Sequence, residues 1–183
     1  MLDFGFRYKD DIINKLVEVY LNNRIELIQF TALANYIDVD LFSIYFDKSD
    51  WKDIGMVSLD KNKNIIGIIY FYLNRHHKHC TMSIISFNRK LKYQRIFYND
   101  IYTMIERLFN EYEVKNILFG TYDFNKRALS IYDKMAKESK CRYIGCTINN
   151  FYYNEKYYNE YNFQITPHNF KYWKNPFRGK RNE

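Results

Sequence analysis

Glycine and proline are scarce in this chain: its 183 residues include 6 glycines and 2 prolines, and both prolines, Pro167 and Pro176, stand near its end. With no Gly/Ser-rich or Pro-rich stretch to act as a linker, and no internal repeat, the sequence reads as one domain over residues 1–170 followed by a tail over 171–183. Cysteine is also rare. Cys80, Cys141 and Cys146 make an odd count without a Cys-x-x-Cys pair, which argues against a disulfide framework and against a structural zinc site. Cys80 and Cys146 fall in strand-like segments and read as small buried hydrophobes rather than nucleophiles. Long apolar runs are missing: the longest, 65–73, has the length of a strand and falls far short of the roughly 20 residues needed to cross a bilayer. The opening Met-Leu-Asp-Phe-Gly lacks the basic and apolar regions of a secretory leader, so the expected location is the cytoplasm.

What is abundant is aromatic and basic. Hydrophobic residues make up 47% of the chain, enough to exclude a disordered one, and aromatics 20%, with 19 Tyr and 15 Phe. The formal net charge is +7, which favours a phosphorylated cofactor, a polyanion or an acidic protein as partner. Much of that charge is local. Five of the 28 basic residues (Lys171, Lys174, Arg178, Lys180, Arg181) lie in 171–183 against one of the 21 acidic ones, leaving +3 for the rest. Stacking platforms for single-stranded nucleic acid are disfavoured, because no aromatic cluster stands out from a chain uniformly rich in Tyr, Phe, Ile, Lys and Asn.

Periodicity orders the elements. A short strand is expected over 3–7. Over 10–22, Ile12 or Ile13, Leu16, and Val19 or Tyr20 share one helical stripe. The stretch 24–50 reads as mixed helix and irregular chain. Apolar runs at 54–59 and 65–73 flank the turn sequence Asp60-Lys61-Asn62-Lys63-Asn64, which predicts a hairpin, and 80–87 extends the meander. The period then changes: Ile96, Tyr98 or Asn99, Ile101 or Tyr102, Ile105, Leu108 and Phe109 mark an amphipathic helix. A strand over 114–121, a helix over 126–139 and strands over 142–152 and 157–165 complete the series. This order predicts an α/β (α+β) domain, a mixed and mostly antiparallel sheet with helices on both faces.

Three short motifs narrow that reading. Asn125, Ala128 and Tyr132 form Asn-x-x-Ala-x-x-x-Tyr at a strand-to-helix junction; Gly67 follows Ile66 at a strand start; and Tyr143-Ile144-Gly145 precedes the closing run Asn159-Glu160-Tyr161-Asn162-Phe163-Gln164-Ile165-Thr166. Together, over about residues 50–170, they resemble the GNAT superfamily of N-acetyltransferases. Physics supports the junction independently: Asn125 occupies a helix N-cap position, where its side chain bonds a first-turn N–H and the helix end favours polar or anionic groups. The resemblance implies an acyl-CoA N-acyltransferase fold and transfer of acetyl from acetyl-CoA (coenzyme A) to a primary amine by direct attack in a ternary complex. It places Tyr132 and Asn125 at the catalytic position, Tyr132 as the acid that protonates the departing thiolate.

One motif departs from the family. Where its pyrophosphate loop carries glycines, this chain reads Asn88-Arg89-Lys90-Leu91-Lys92-Tyr93-Gln94-Arg95-Ile96-Phe97, in which side chains obstruct close backbone approach. Cationic side chains are the substitute: Arg89, Lys90, Lys92 and Arg95 for the phosphates, with Phe87, Tyr93, Gln94, Ile96 and Phe97 beside them, and Asn125, Ala128 and Tyr132 across the site. No acid occurs in 82–87 to serve as general base, and His76, His77 and His79 fall in a turn, a weak pattern for a metal. The alternatives to an enzyme are a non-catalytic relative that binds a protein partner, or a nucleic-acid-binding module using the tail and residues 89–95. A monomer and a homodimer both fit.

Overall fold

The computed structural model describes residues 1–21, 53–153 and 155–173. The 24–50 stretch and the tail beyond 173, with Lys174, Arg178, Lys180 and Arg181, lie outside the described residues. In chain order come β1 (Leu2–Phe4), a 3-10 turn (Gly5–Tyr8), α1 (Lys9–Leu21), β2 (Asp53–Leu59), β3 (Ile65–Asn74), β4 (His79–Ser86) and α2 (Leu91–Asn110), then β5 (Asn116–Tyr122), α3 (Lys126–Lys137), β6 (Arg142–Tyr153), β7 (Lys156–Ile165) and α4 (Pro167–Phe170). The strands form one 7-stranded sheet in the order β1-β2-β3-β4-β5-β7-β6. Every neighbouring pair is antiparallel except β4–β5.

Helices cover both faces, as the element order predicts. On one face, α1 sets Ile12 and Leu16 against Val57, Leu59, Ile65, Ile68 and Ile85. On the other, α2 buries Phe97, Ile101, Met104, Ile105 and Leu108 against Met56, Ile69, Phe71, Leu73, Phe119 and Phe163. Spacings of three and four residues along α2 put those side chains on one stripe. Trp173 closes this core from beyond α4, its indole N–H donating to the Lys140 carbonyl at 2.7 Å.

Three local expectations are corrected. The first strand is shorter than 3–7, because the chain turns into a 3-10 helix at Gly5. The long helix begins at Leu91, so most of the expected 88–97 loop is already its first two turns. No side chain caps that helix at Lys90; instead Asn88 Oδ1 accepts the Lys90 N–H at 3.0 Å, so the sequence shows no Ser, Thr or Asp at the boundary. Cys146 is exposed, whereas Cys80 and Cys141 are buried. Strand β6 pairs only with β7 at the sheet edge, and most of its residues from 142 to 150 are exposed.

Candidate functional site

Among the described strands, the one parallel pair is also an incomplete one. Strands β4 and β5 pair at His79↔Asn116, Cys80↔Ile117 and Thr81↔Leu118. Beyond that point β4 stays with β3 as far as Ser86↔Gly67, and β5 stays with β7 as far as Tyr122↔Glu160. The sheet therefore splits into a V between 82–86 and 119–122. A cleft of ≈ 530 Å³ fills the V, lined from both limbs and from the helices that follow them. Two adjacent parallel strands each lead into a helix at this end, so both helix N-termini meet the opening, the crevice that open α/β sheets offer to ligands.

On the β4 side, the turn into α2 is built by side chains instead of glycine. The Gln94 amide donates to Ser86 Oγ at 2.6 Å and to the Asn88 carbonyl, and Ser86 Oγ donates to the same carbonyl at 3.2 Å. These bonds tie the first turn of α2 to the end of β4. Gly67, on β3, makes the close approach of α2 possible: a β-carbon there would stand 2.4 Å from the Phe97 ring and 2.8 Å from the Ile85 carbonyl.

On the β5 side, Asn125 is the N-cap of α3, its Oδ1 accepting the Ala128 N–H at 3.2 Å. Tyr132 lies two turns on and faces the sheet. Its ring packs edge-on against Phe119 at 4.9 Å and Phe163 at 5.4 Å. Burial, followed by the neighbouring Cys141, pushes its phenol up to about 12. A tyrosine so placed keeps its proton at any physiological pH, as a proton donor must.

Of the residues expected to hold a cofactor, Arg89, Gln94, Phe97, Asn125, Ala128 and Tyr132 line the cleft. Phe87, Lys90, Lys92, Tyr93, Arg95 and Ile96 are not among its lining residues. Helical geometry separates the two sets, since Gln94, Phe97, Tyr98 and Ile101 share a face that residues between them do not. Phe87 packs with the α1 cluster on the other side of the sheet, and the Lys92 ammonium sits 4.6 Å from the Tyr93 ring centre.

The structure adds to the cleft residues that were not expected to bind there: Arg127 and Ile131 from α3, Ser83 from β4, Tyr122 from β5, and Glu160 and Asn162 from β7. None of His76, His77 and His79 lines the cleft; the rings of His77 and His79 stack at 6.0 Å. Among the described residues no group of three or more His, Cys, Asp or Glu is placed to hold a metal ion, and no helix is long and apolar enough to cross a membrane.

Solved structures superimpose on this fold. Spermidine N-acetyltransferase from Vibrio cholerae, solved in complex with CoA and spermine, superimposes over 93% of this chain and 97% of its own with a TM-score of 0.70 at 18% identity. The chain has the GNAT fold. A mutant form of the same Vibrio enzyme gives a TM-score of 0.68 over 94% of this chain and 96% of its own, again at 18% identity. A chimera of that enzyme with hSSAT gives 0.61 over 75% and 83%, also at 18% identity. No family model matches the chain, and no curated protein matches it in sequence.

Proposed function

We propose that the chain is an acetyl-CoA-dependent N-acetyltransferase that acetylates a primary amine in a ternary complex. The observation that carries this reading is the split between β4 and β5 with Tyr132 facing it. An extended chain bearing amide groups, such as the pantetheine arm of coenzyme A, fits beside the inner edge of 82–86, where β5 no longer takes up the ladder bonds. Arg89 and Arg127, with the N-terminal ends of α2 and α3, supply positive potential for its phosphates at the mouth. Only Arg89 of the four cations expected there lines the cleft; Arg127, at the start of α3, is the second.

Transfer forms a C–N bond and breaks a C–S bond. The acceptor ammonium gives up two protons, one before attack and one afterwards; one reaches the departing sulfur and the other goes to water. Tyr132 is the proton donor to sulfur, and its tyrosinate is restored from the second amine proton. Asn125 acts through position, fixing the first turn of α3 from which Tyr132 projects. A panel of primary amines with acetyl-CoA tests the reading, followed by release of free thiol. Amine-dependent thiol release that is lost in Tyr132→Phe supports it; acetyl-CoA that neither binds nor turns over removes it.

A further inference from the structure

Among the described residues lining the cleft, Glu160 is the one acid; the other charged ones, Arg89 and Arg127, are cations. Its surroundings are built. Gly120 leaves room for it, since a β-carbon at that position would stand 3.1 Å from Glu160 Oε1. The other oxygen, Oε2, accepts a hydrogen bond from Asn150 Nδ2 at 2.7 Å. Asn150 reaches it because the β6–β7 register slips between Thr147 and Phe151, with Asn149 at φ 54 and the Asn149 N–H bonded to Asn159 Oδ1 at 2.9 Å. A bulge that aims a side chain is a common device beside functional sites.

Strand alternation places Glu160 relative to Tyr132. On β5 and β7, Phe119 and Phe163 pair with each other and hold the Tyr132 ring. Gly120↔Asn162 and Tyr122↔Glu160 are the intervening pairs, so their side chains project from the opposite face. A thioester threaded through the V would thus meet Tyr132 on one face of the sheet and Glu160 on the other. That separation suits a reaction in which the leaving thiolate and the incoming amine approach the carbonyl from different sides.

The surface around Glu160 is aromatic. Tyr122 stacks on Phe151 at 4.8 Å and on Phe124 at 5.5 Å, and Phe124 meets Tyr158 edge-on at 5.0 Å. Among the described residues Glu160 forms no ion pair. A half-buried carboxylate with no cation paired to it among the described residues, beside aromatic faces, is matched by an alkylammonium group, which gains a charge-assisted hydrogen bond and a cation–π contact.

We propose that Glu160, with Tyr122, forms the acceptor subsite, and that the acceptor is an aliphatic primary amine bound as its ammonium ion on the face of the sheet opposite Tyr132. This rests on the acetyltransferase reading. It is tested with 1,5-diaminopentane and, as a neutral control of the same shape, 1,5-pentanediol, titrated by calorimetry into protein with and without coenzyme A. The diamine is expected to bind the wild type and the diol not. Glu160→Gln should weaken diamine binding about tenfold or more, the scale of one charge-assisted hydrogen bond, while leaving coenzyme A affinity unchanged. Equal diamine affinity in wild type and Glu160→Gln, or no diamine binding to coenzyme A-loaded wild type, overturns the assignment. Coenzyme A that fails to bind the wild type overturns the acetyltransferase reading instead, and that failure is read in a separate titration.

Discussion

The Phe97 ring occupies the space that a side chain on Gly67 would need, 2.4 Å from where its β-carbon would stand. Phe97 is 5% exposed and also lines the cleft, so this contact links the packing of α2 onto β3 to the shape of the site. Gly67→Ala forces the ring and the Ile85 carbonyl aside. Overpacking of this kind costs about 1–3 kcal/mol, a fall in Tm of roughly 2–4 °C for each kcal/mol in a domain of this size. Thermal unfolding of the variant should show that loss together with weaker coenzyme A binding; an unchanged Tm would mean that α2 sits farther from the sheet.

Tyr132→Phe keeps the ring contacts with Phe119 and Phe163 and removes the phenolic proton. General-acid loss typically lowers rates about 100-fold or more, so kcat should fall on that scale with coenzyme A affinity unchanged. Equal turnover in the two proteins would take Tyr132 out of the chemistry and leave it as a core residue.

The sheet was legible in the sequence because its signals are local. Alternating and continuous apolar runs lie on β2, β3 and β4, with the Asp60–Asn64 turn between the first two, and the structure closes that turn with Asp60 Oδ1 accepting the Asn62 and Asn64 N–H groups at 2.8 and 2.9 Å. Asn125 was legible as a cap because a capping side chain and its helix are adjacent in sequence. The start of α2 was not, since the stabilising groups, Asn88 and Gln94, act through a turn without glycine or a side-chain cap. Glu160 was hidden for a different reason. It falls within the closing run 159–166, which carries the resemblance without marking its acid, and its place in the cleft follows from strand register across Gly120 and from a bulge on the neighbouring strand, neither of which is a local property of the sequence.

The three thiols should divide sharply. Burial pushes Cys80 up to about 12, and burial followed by the Asp133 charge pushes Cys141 up to about 11, so neither offers thiolate near neutral pH. Cys146 is exposed on the edge strand. Ellman titration at pH 8 should count one fast thiol per chain, with the other two appearing only on unfolding. Two or more fast thiols would contradict the packing of β4 or of the segment joining α3 to β6.

Burial raises the Glu160 carboxyl above its ordinary value of 4.5, so folding favours its protonated form. The sign follows from linkage: its contribution is fully present below the unfolded value and is lost as pH rises through the higher folded one. At pH 7 the wild type therefore carries a penalty that Glu160→Gln lacks. The variant should melt at or above the wild type at pH 7, and the difference should shrink as pH is lowered through and below the ordinary carboxylate range. A variant that melts lower at pH 7, by a margin that grows with pH, would show that the carboxylate is already paired in the folded protein.

The proposed occupant of the V between β4 and β5 is an acyl-coenzyme A thioester. Thermal-shift titration with acetyl-CoA, coenzyme A and 3′,5′-ADP tests it most directly, because ligand that binds only the folded state raises stability with the logarithm of its concentration above the dissociation constant. Acetyl-CoA and coenzyme A should each give a saturable rise larger than that with 3′,5′-ADP, as a pantetheine arm seated in the split would require. A flat response to millimolar acetyl-CoA, or one no larger than that of 3′,5′-ADP, would contradict it.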